Sequence, residues 1–275
     1  MAFQRVSIAG RSFFYNLLHP IKWVGMQNFN AYFLSPDFIN TTRNTLIYNL
    51  VFLTLGLVGS VFVAIAASEL WNKRLVKFYQ SVMILPAFLS WVIVSYLIYS
   101  LLNPQFGVVN GILTRMGLEP VSWYSEKRAW VVLLPLFNLW KGVGLGSIYY
   151  FAAISGINPE IYESAMLDGA SRFKQIIYIT LPMLKQTMII LTILNLGNII
   201  RSDFGLFYVA TLQMGRGALY ETVSTIDTYT YSLLMSSGRV AIGTAVGFYQ
   251  SFVGLAMILG VNLIVRKLDK DSAMF

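Results

Sequence analysis

Cysteine is absent from this 275-residue chain, and His19 is its one histidine. Thiolate chemistry, disulfides and Cys/His zinc sites are therefore excluded. Charge is scarce: Asp, Glu, Lys and Arg make up 12 % of the residues, against about 25 % in soluble domains. So few charges cannot cover a globular surface. With 56 % hydrophobic residues and a mean hydropathy of +0.63, lipid must be the solvent for much of the chain. No Gly-x-x-x-x-Gly-Lys-Ser/Thr run is present, so the chain cannot cradle phosphates in the P-loop manner. Gly-x-Ser-x-Gly, His-Glu-x-x-His and an intramembrane Asp pair are also missing, which speaks against an intramembrane protease or lipid hydrolase. The first eleven residues lack the apolar stretch and small-residue cleavage site of a signal peptide, so insertion is expected to rely on the spans themselves.

What is present is length for one membrane domain and a net charge of +8. Excess Lys and Arg at membrane boundaries explains that charge. No basic block or basic-aromatic module points to nucleic acid.

A spanning helix needs about 20 mostly apolar residues. Five segments qualify, at 44–69, 78–102, 129–157, 181–200 and 240–265. The expected fold is all-α, a polytopic membrane helix bundle. Residues 1–42 read as a lead segment outside the membrane with a short amphipathic helix, residues 43–267 as the transmembrane domain, and 268–275 as a tail. Lys and Arg number nine on the side of the 70–77 turn, the 158–185 segment and the tail, against ten on the other side. The nine lie in much shorter loops, where the positive-inside rule applies. This predicts a cytoplasmic 158–180 loop, an external N-terminus and a cytoplasmic C-terminus.

The 158–182 segment is a polar interruption between two apolar ones. Asn158-Pro159-Glu160 reads as a helix start. Ile161, Ala165 and Met166 fall on one stripe. Asp168-Gly169 marks a break, and a second short helix is expected from Ala170 to Ile179, with Phe173, Ile176 and Ile177 on one face. Leu181-Pro182 is expected to end it and open the next span. Within this segment Glu163-Ser164-Ala165, three residues, Gly169, nine residues, Ile179, one residue and Leu181-Pro182 resemble the coupling-loop signature of permease subunits in binding-protein-dependent type I ABC importers. Six identities match at the family's spacing, with Ser164 in place of Ala. At background frequencies of roughly 5–10 % per residue type, that arises by chance on the order of 10⁻⁸ to 10⁻⁶ per window.

The resemblance implies that the loop docks on a separate ATP-hydrolysing subunit, with Glu163 as polar anchor and Gly169 permitting the turn. Ser164, Ala165, Asp168, Ala170, Ile179, Leu181 and Pro182 complete the loop. It implies as partners a second homologous permease, two ATPase subunits that bind ATP and Mg, an external solute-binding protein and the lipid bilayer of a prokaryotic cell membrane. No cofactor is expected in this chain. The C-terminal segments Gly217-Ala218-Leu219-Tyr220-Glu221-Thr222, Ile226-Asp227-Thr228-Tyr229, Gly247-Phe248-Tyr249-Gln250-Ser251 and Asn262 to Lys267 resemble permeases for oligosaccharides derived from polysaccharides. The family usually has six spans; here the stretch 13–18 is too short for a first one, leaving a natural loss or a misplaced start codon as the two readings.

Polar groups inside spans mark the candidate solute path, because they are costly there. Lys141 lies in Phe137-Asn138-Leu139-Trp140-Lys141-Gly142; it reads either as part of a cavity-facing cluster with Asn138 and Trp140, or as a lysine that snorkels or finds a backbone or carboxylate partner. Asn195 and Asn198, three apart, share a helix face and either line the path or bond between helices. Tyr249 and Gln250 complete the set. Competing functions are an ABC importer permease for a non-sugar solute, an ATP-independent carrier with Gly/Pro-interrupted helices, and an intramembrane enzyme.

Overall fold

The computed structural model describes residues 2–5, 22–70, 72–212 and 217–268. The stretch 13–18, Gly215 and the tail beyond Leu268 lie outside the described residues. Among the described residues the fold is carried by α1 (Gln27–Phe33), α2 (Asp37–Ser68), α3 (Lys73–Phe88), α4 (Trp91–Leu102), α5 (Val108–Arg115), α6 (Lys127–Ser155), α7 (Pro159–Leu167), α8 (Arg172–Leu196), α9 (Ile226–Ser237) and α10 (Val240–Leu268). A helical turn at Tyr220–Val223, a 3₁₀ turn at Trp123–Ser125 and a two-residue antiparallel pairing of Gln4–Arg5 with Lys22–Trp23 complete the elements. Among the described residues four helices are long and apolar enough to cross a membrane, or up to five spans when α3 and α4 count as one. The all-α membrane bundle read from the sequence is the fold observed.

Three expectations change. The predicted 78–102 span is two helices, because Leu89 (φ −71°, ψ 133°) and Ser90 (φ −66°, ψ 149°) are extended. Pro86 lies in the last turn of α3, and the Ser90 hydroxyl caps α4 by accepting from Ile93 N. Secondly, Leu181-Pro182 does not end a helix: α8 runs from Arg172 to Leu196. Proline removes one N–H and its ring crowds the carbonyl four residues back. The chain absorbs this with a π turn at Ile176–Thr180, in which Leu181 N reaches Ile176 O. Thirdly, the fourth predicted span stops at Leu196, four residues short, and Asn198 lies in a turn.

The chain forms two compact units, residues 1–49, 90–134 and 198–257, and residues 50–89, 135–197 and 258–275. The first has a core of Tyr32, Ile200, Ile226, Tyr229 and Val246, edged by Phe33, Phe38 and Tyr249. The second has a core of Val61, Ala64, Tyr150 and Leu184. In that second unit a Cβ on Gly144 would collide with the backbone carbonyl of Met83, so only glycine admits the close passage of α3 and α6.

Candidate functional site

The 158–182 segment is an elbow built largely from its own sequence. Asn158 Oδ1 accepts from Glu160 N at 3.1 Å, and Pro159 occupies the first turn of α7, where its missing N–H leaves nothing unpaired. The helix closes in a Schellman arrangement: Ala170 N donates to Ala165 O (2.9 Å) and Gly169 N to Met166 O (3.1 Å). Gly169 sits at φ +79°, a left-handed conformation that residues with a Cβ rarely adopt. The spacing of Ala165 and Gly169 is thus the spacing of a helix stop.

One side-chain bond spans the elbow and another closes the start of its second arm. The Tyr162 and Thr180 hydroxyls meet at 3.0 Å, and the buried Gln175 donates Nε2 to Ala170 O at 3.1 Å. An exposed Arg172 approaches Glu69 at 3.9 Å. Tyr162, Gln175 and Thr180 were not singled out from sequence. Of the predicted faces Ile161, Met166 and Phe173 are exposed, Phe173 to 71 %, and Leu167, outside the prediction, is exposed to 89 %. Glu163, Ser164, Asp168, Gly169 and Pro182 are exposed too, while Ala165, Ala170, Ile179 and Leu181 are half-buried. A rigid turn that shows bulky apolar groups is a surface for something else.

The candidate solute-path residues fall into different settings. Lys141 is half-buried, and its Nζ donates to Ala87 O (2.9 Å) and Pro86 O (3.4 Å), two carbonyls at the C-terminal end of α3. A cation belongs there, since the last turn of a helix has carbonyls without intrahelical donors and a partial negative charge. Of the two readings, the backbone partner is what the geometry provides. Asn138 is half-buried and Trp140 exposed on the same helix. Asn195 is exposed and turns its amide back onto Leu191 O at 2.9 Å. Asn198 lies past the end of α8, so the shared helix face does not form. Tyr249 packs edge-on against Phe33, with ring centroids 5.1 Å apart. Gln250 is buried, and its Nε2 donates to Ile200 O (2.9 Å) and Asp227 Oδ1 (3.3 Å).

Gln250 belongs to a polar brace that the sequence reading missed. Asn44 on α2 donates Nδ2 to Glu221 O (2.8 Å), Ser224 O (2.9 Å) and Thr222 O (3.3 Å). Asn40 reaches Glu221 O (3.1 Å) and Ser224 Oγ (2.9 Å), and Asn49 reaches Ile199 O (2.7 Å) and Arg201 O (2.6 Å). Thr45 Oγ1 accepts from Ile226 N at 3.0 Å. Asp227 Oδ2 accepts from Ser202 N (2.6 Å) and Ser202 Oγ (2.9 Å). These bonds satisfy carbonyls and N–H groups in the stretches 199–203 and 221–226, between the long helices, which lipid could not solvate. The clue was available: Asn40, Asn44 and Asn49 interrupt the start of an apolar helix, with Asn40 and Asn44 one turn apart.

Outside the spans, the Lys127 ammonium meets Glu221 Oε2 at 2.6 Å and holds the Glu221 carboxyl below its ordinary pKa, first by the hydrogen bond and then by charge. Burial pushes the Tyr124 hydroxyl well above the ordinary tyrosine range.

The fold and the elbow together define a class: a multi-pass helical membrane subunit with a rigid, apolar-crested turn between two spans. No family model matches the chain. It is 30 % identical over 251 residues to the polygalacturonan/rhamnogalacturonan transport system permease protein YteP of Bacillus subtilis (strain 168), covering 91 % of this chain and 77 % of that one. It also superposes on the crystal structure of a bacterial ABC transporter involved in the import of the acidic polysaccharide alginate, with TM-score 0.84 and 34 % identity over 90 % of this chain and 86 % of that one. The crystal structure of a bacterial alginate ABC transporter in complex with alginate pentasaccharide-bound periplasmic protein matches with TM-score 0.82 and 33 % identity, over 94 % and 86 %. The chain belongs to this family, the membrane-spanning permease subunits of ABC importers. Its role is transport.

Proposed function

We propose that this permease forms one half of the path for an oligosaccharide released from a polysaccharide, and that the 158–182 elbow carries the stroke of a separate ATPase into the spans. The observation that carries the second part is the elbow itself: a turn closed by its own backbone, pinned by Tyr162–Thr180 and Gln175–Ala170, with Met166, Leu167 and Phe173 outward. Pushed as a unit, such a turn moves α8, which continues from it without a break to Leu196. Glu163 is the polar anchor toward the ATPase. Mg-ATP is held by that partner, since this chain has no P-loop.

The saccharide assignment is supported by what the relatives are named for, polygalacturonan/rhamnogalacturonan in one case and alginate in the other. Asn138, Asn195 and Asn198 are assigned to the path because their amides donate and accept as hydroxyls require, and Trp140, exposed on the helix that carries Asn138, for its apolar ring face. A second permease completes the path. A solute-binding protein docks outside, on the 201–239 segment, with the elbow and the C-terminus in the cytoplasm and the N-terminus outside. The test is reconstitution of the chain with candidate partners. ATPase activity is expected to rise with loaded binding protein and to drive uptake of labelled oligosaccharide. Uptake of a labelled non-sugar solute with none of saccharide overturns the solute assignment, and uptake without ATP overturns the coupling.

A further inference from the structure

The 103–126 loop between α4 and α6 carries a two-sided helix, α5. Its inner side is organised by the buried Asn110. Asn110 Nδ2 donates to Val121 O (2.9 Å), Pro104 O (3.1 Å) and Asn103 O (3.4 Å), while its Oδ1 accepts from Trp123 Nε1 (2.9 Å) and Val121 N (3.1 Å). One side chain thus fixes both arms of the loop. The outer side is apolar: Val108, Ile112 and Met116, at i, i+4 and i+8, are exposed to 55 %, 52 % and 70 %. Arg115 in the last turn is its one charge. A short helix meant for water would place polar residues on that face.

What covers the stripe follows from continuity. The loop starts where α4 ends, and the exposed apolar face of α4 (Val92, Ile93, Tyr96, Leu97) is that of a lipid-facing span. Phe106, exposed at the loop entry, lies edge-on to Tyr99 of α4 with centroids 6.1 Å apart, so the apolar surface runs from the span onto the loop. The loop ends at Lys127, where α6 begins and shows Val131 and Val132. Trp123 and Tyr124, half-buried beside it, are residue types of the membrane–water boundary.

We propose that α5 is an interfacial helix: its Val108–Ile112–Met116 face lies in the headgroup–acyl boundary of the bilayer, with Arg115 at the level of the lipid phosphates, and it ties the 103–126 loop to the membrane. The chain has no cysteine, so Ile112→Cys and Met116→Cys each give a single labelling site. Full-length chain carrying bimane at either position is placed in phosphatidylcholine–phosphatidylglycerol nanodiscs. Thermal unfolding at the parent's midpoint establishes that the labelled chain is folded, and the second position serves if the first variant does not fold. Emission is expected to be quenched by brominated acyl chains, more by bromine near the headgroup end than near the methyl end, and to resist aqueous iodide. Quenching by iodide with none from brominated lipid overturns the proposal. So does a label shielded from both quenchers, which would mean a protein partner on this face.

Discussion

The elbow at 158–182 and the brace around 199–227 are both polar interruptions of an apolar chain, and they are built in different ways. The elbow's backbone is closed largely by bonds within the segment, and its bulky side chains point outward. The brace closes turns locally too, as at Ser224 N to Tyr220 O (2.9 Å) and Thr225 N to Thr228 Oγ1 (2.8 Å), but it also depends on distant helices. Its carbonyls are held by Asn40, Asn44 and Asn49, from residues roughly 150 to 180 positions earlier in the chain. A locally closed turn can move as a body without breaking bonds to the rest of its unit. A stretch whose bonds come from distant helices is fixed until those helices separate. The contrast assigns motion to the first and rigidity to the second.

The sharpest way to break the contrast is at the brace. Asn44→Leu strips a donor from three carbonyls; Glu221 O keeps Asn40, while Thr222 O and Ser224 O lose their Asn44 donor at a cost of about 1–3 kcal/mol each. Thermal unfolding of the purified chain should show the largest loss of the set, with poor membrane yield; a midpoint at the parent's value would mean that the brace is dispensable. Next is Lys141→Met, which removes the cation from the Pro86 and Ala87 carbonyls. A loss of about 1.5–3 kcal/mol is expected for a charged hydrogen-bonding group. If Lys141→Met unfolds as the parent does yet abolishes uptake, Lys141 faces solute after all. At the elbow, Tyr162→Phe deletes one hydroxyl contact and should lower stability by only about 0.5–1.5 kcal/mol, while loosening the turn enough to lower uptake per ATP hydrolysed.

The smallest effect concerns the exposed Lys127–Glu221 pair. Because the folded Glu221 carboxyl lies below its ordinary value of 4.5, its contribution is present above that value and fades as pH falls through the lowered folded one. Glu221→Gln should remove this acid-side slope and leave neutral stability nearly unchanged. A shift of the midpoint near pH 7 as large as that of Asn44→Leu would show that the pair is part of the brace.

Much of the fold was legible because hydropathy over 20 residues reports directly on lipid exposure. The predicted 44–69, 129–157 and 240–265 correspond to Asp37–Ser68, Lys127–Ser155 and Val240–Leu268. The break at Leu89–Ser90 was hidden in an apolar run, since hydropathy does not register backbone direction. Pro182 misled in the other direction: as a helix breaker it suggested a stop, but a π turn lets the helix pass. The elbow's start and its Gly169 stop were readable from local backbone chemistry. The cross-elbow bond of Tyr162 to Thr180 was not, because it depends on how two arms meet. The brace escaped for the same reason, with donors and acceptors far apart in sequence.

The central claim, that the elbow transmits force, is tested most directly with Gly169→Trp. The site is open to a side chain, but its φ of +79° is not, so about 1–2 kcal/mol of strain should re-angle the turn without unfolding the bundle. In vesicles with the ATPase and binding-protein partners, the account predicts a folded variant whose ATP hydrolysis no longer responds to loaded binding protein and whose uptake is lost. Uptake and stimulated hydrolysis at the parent's level would contradict it.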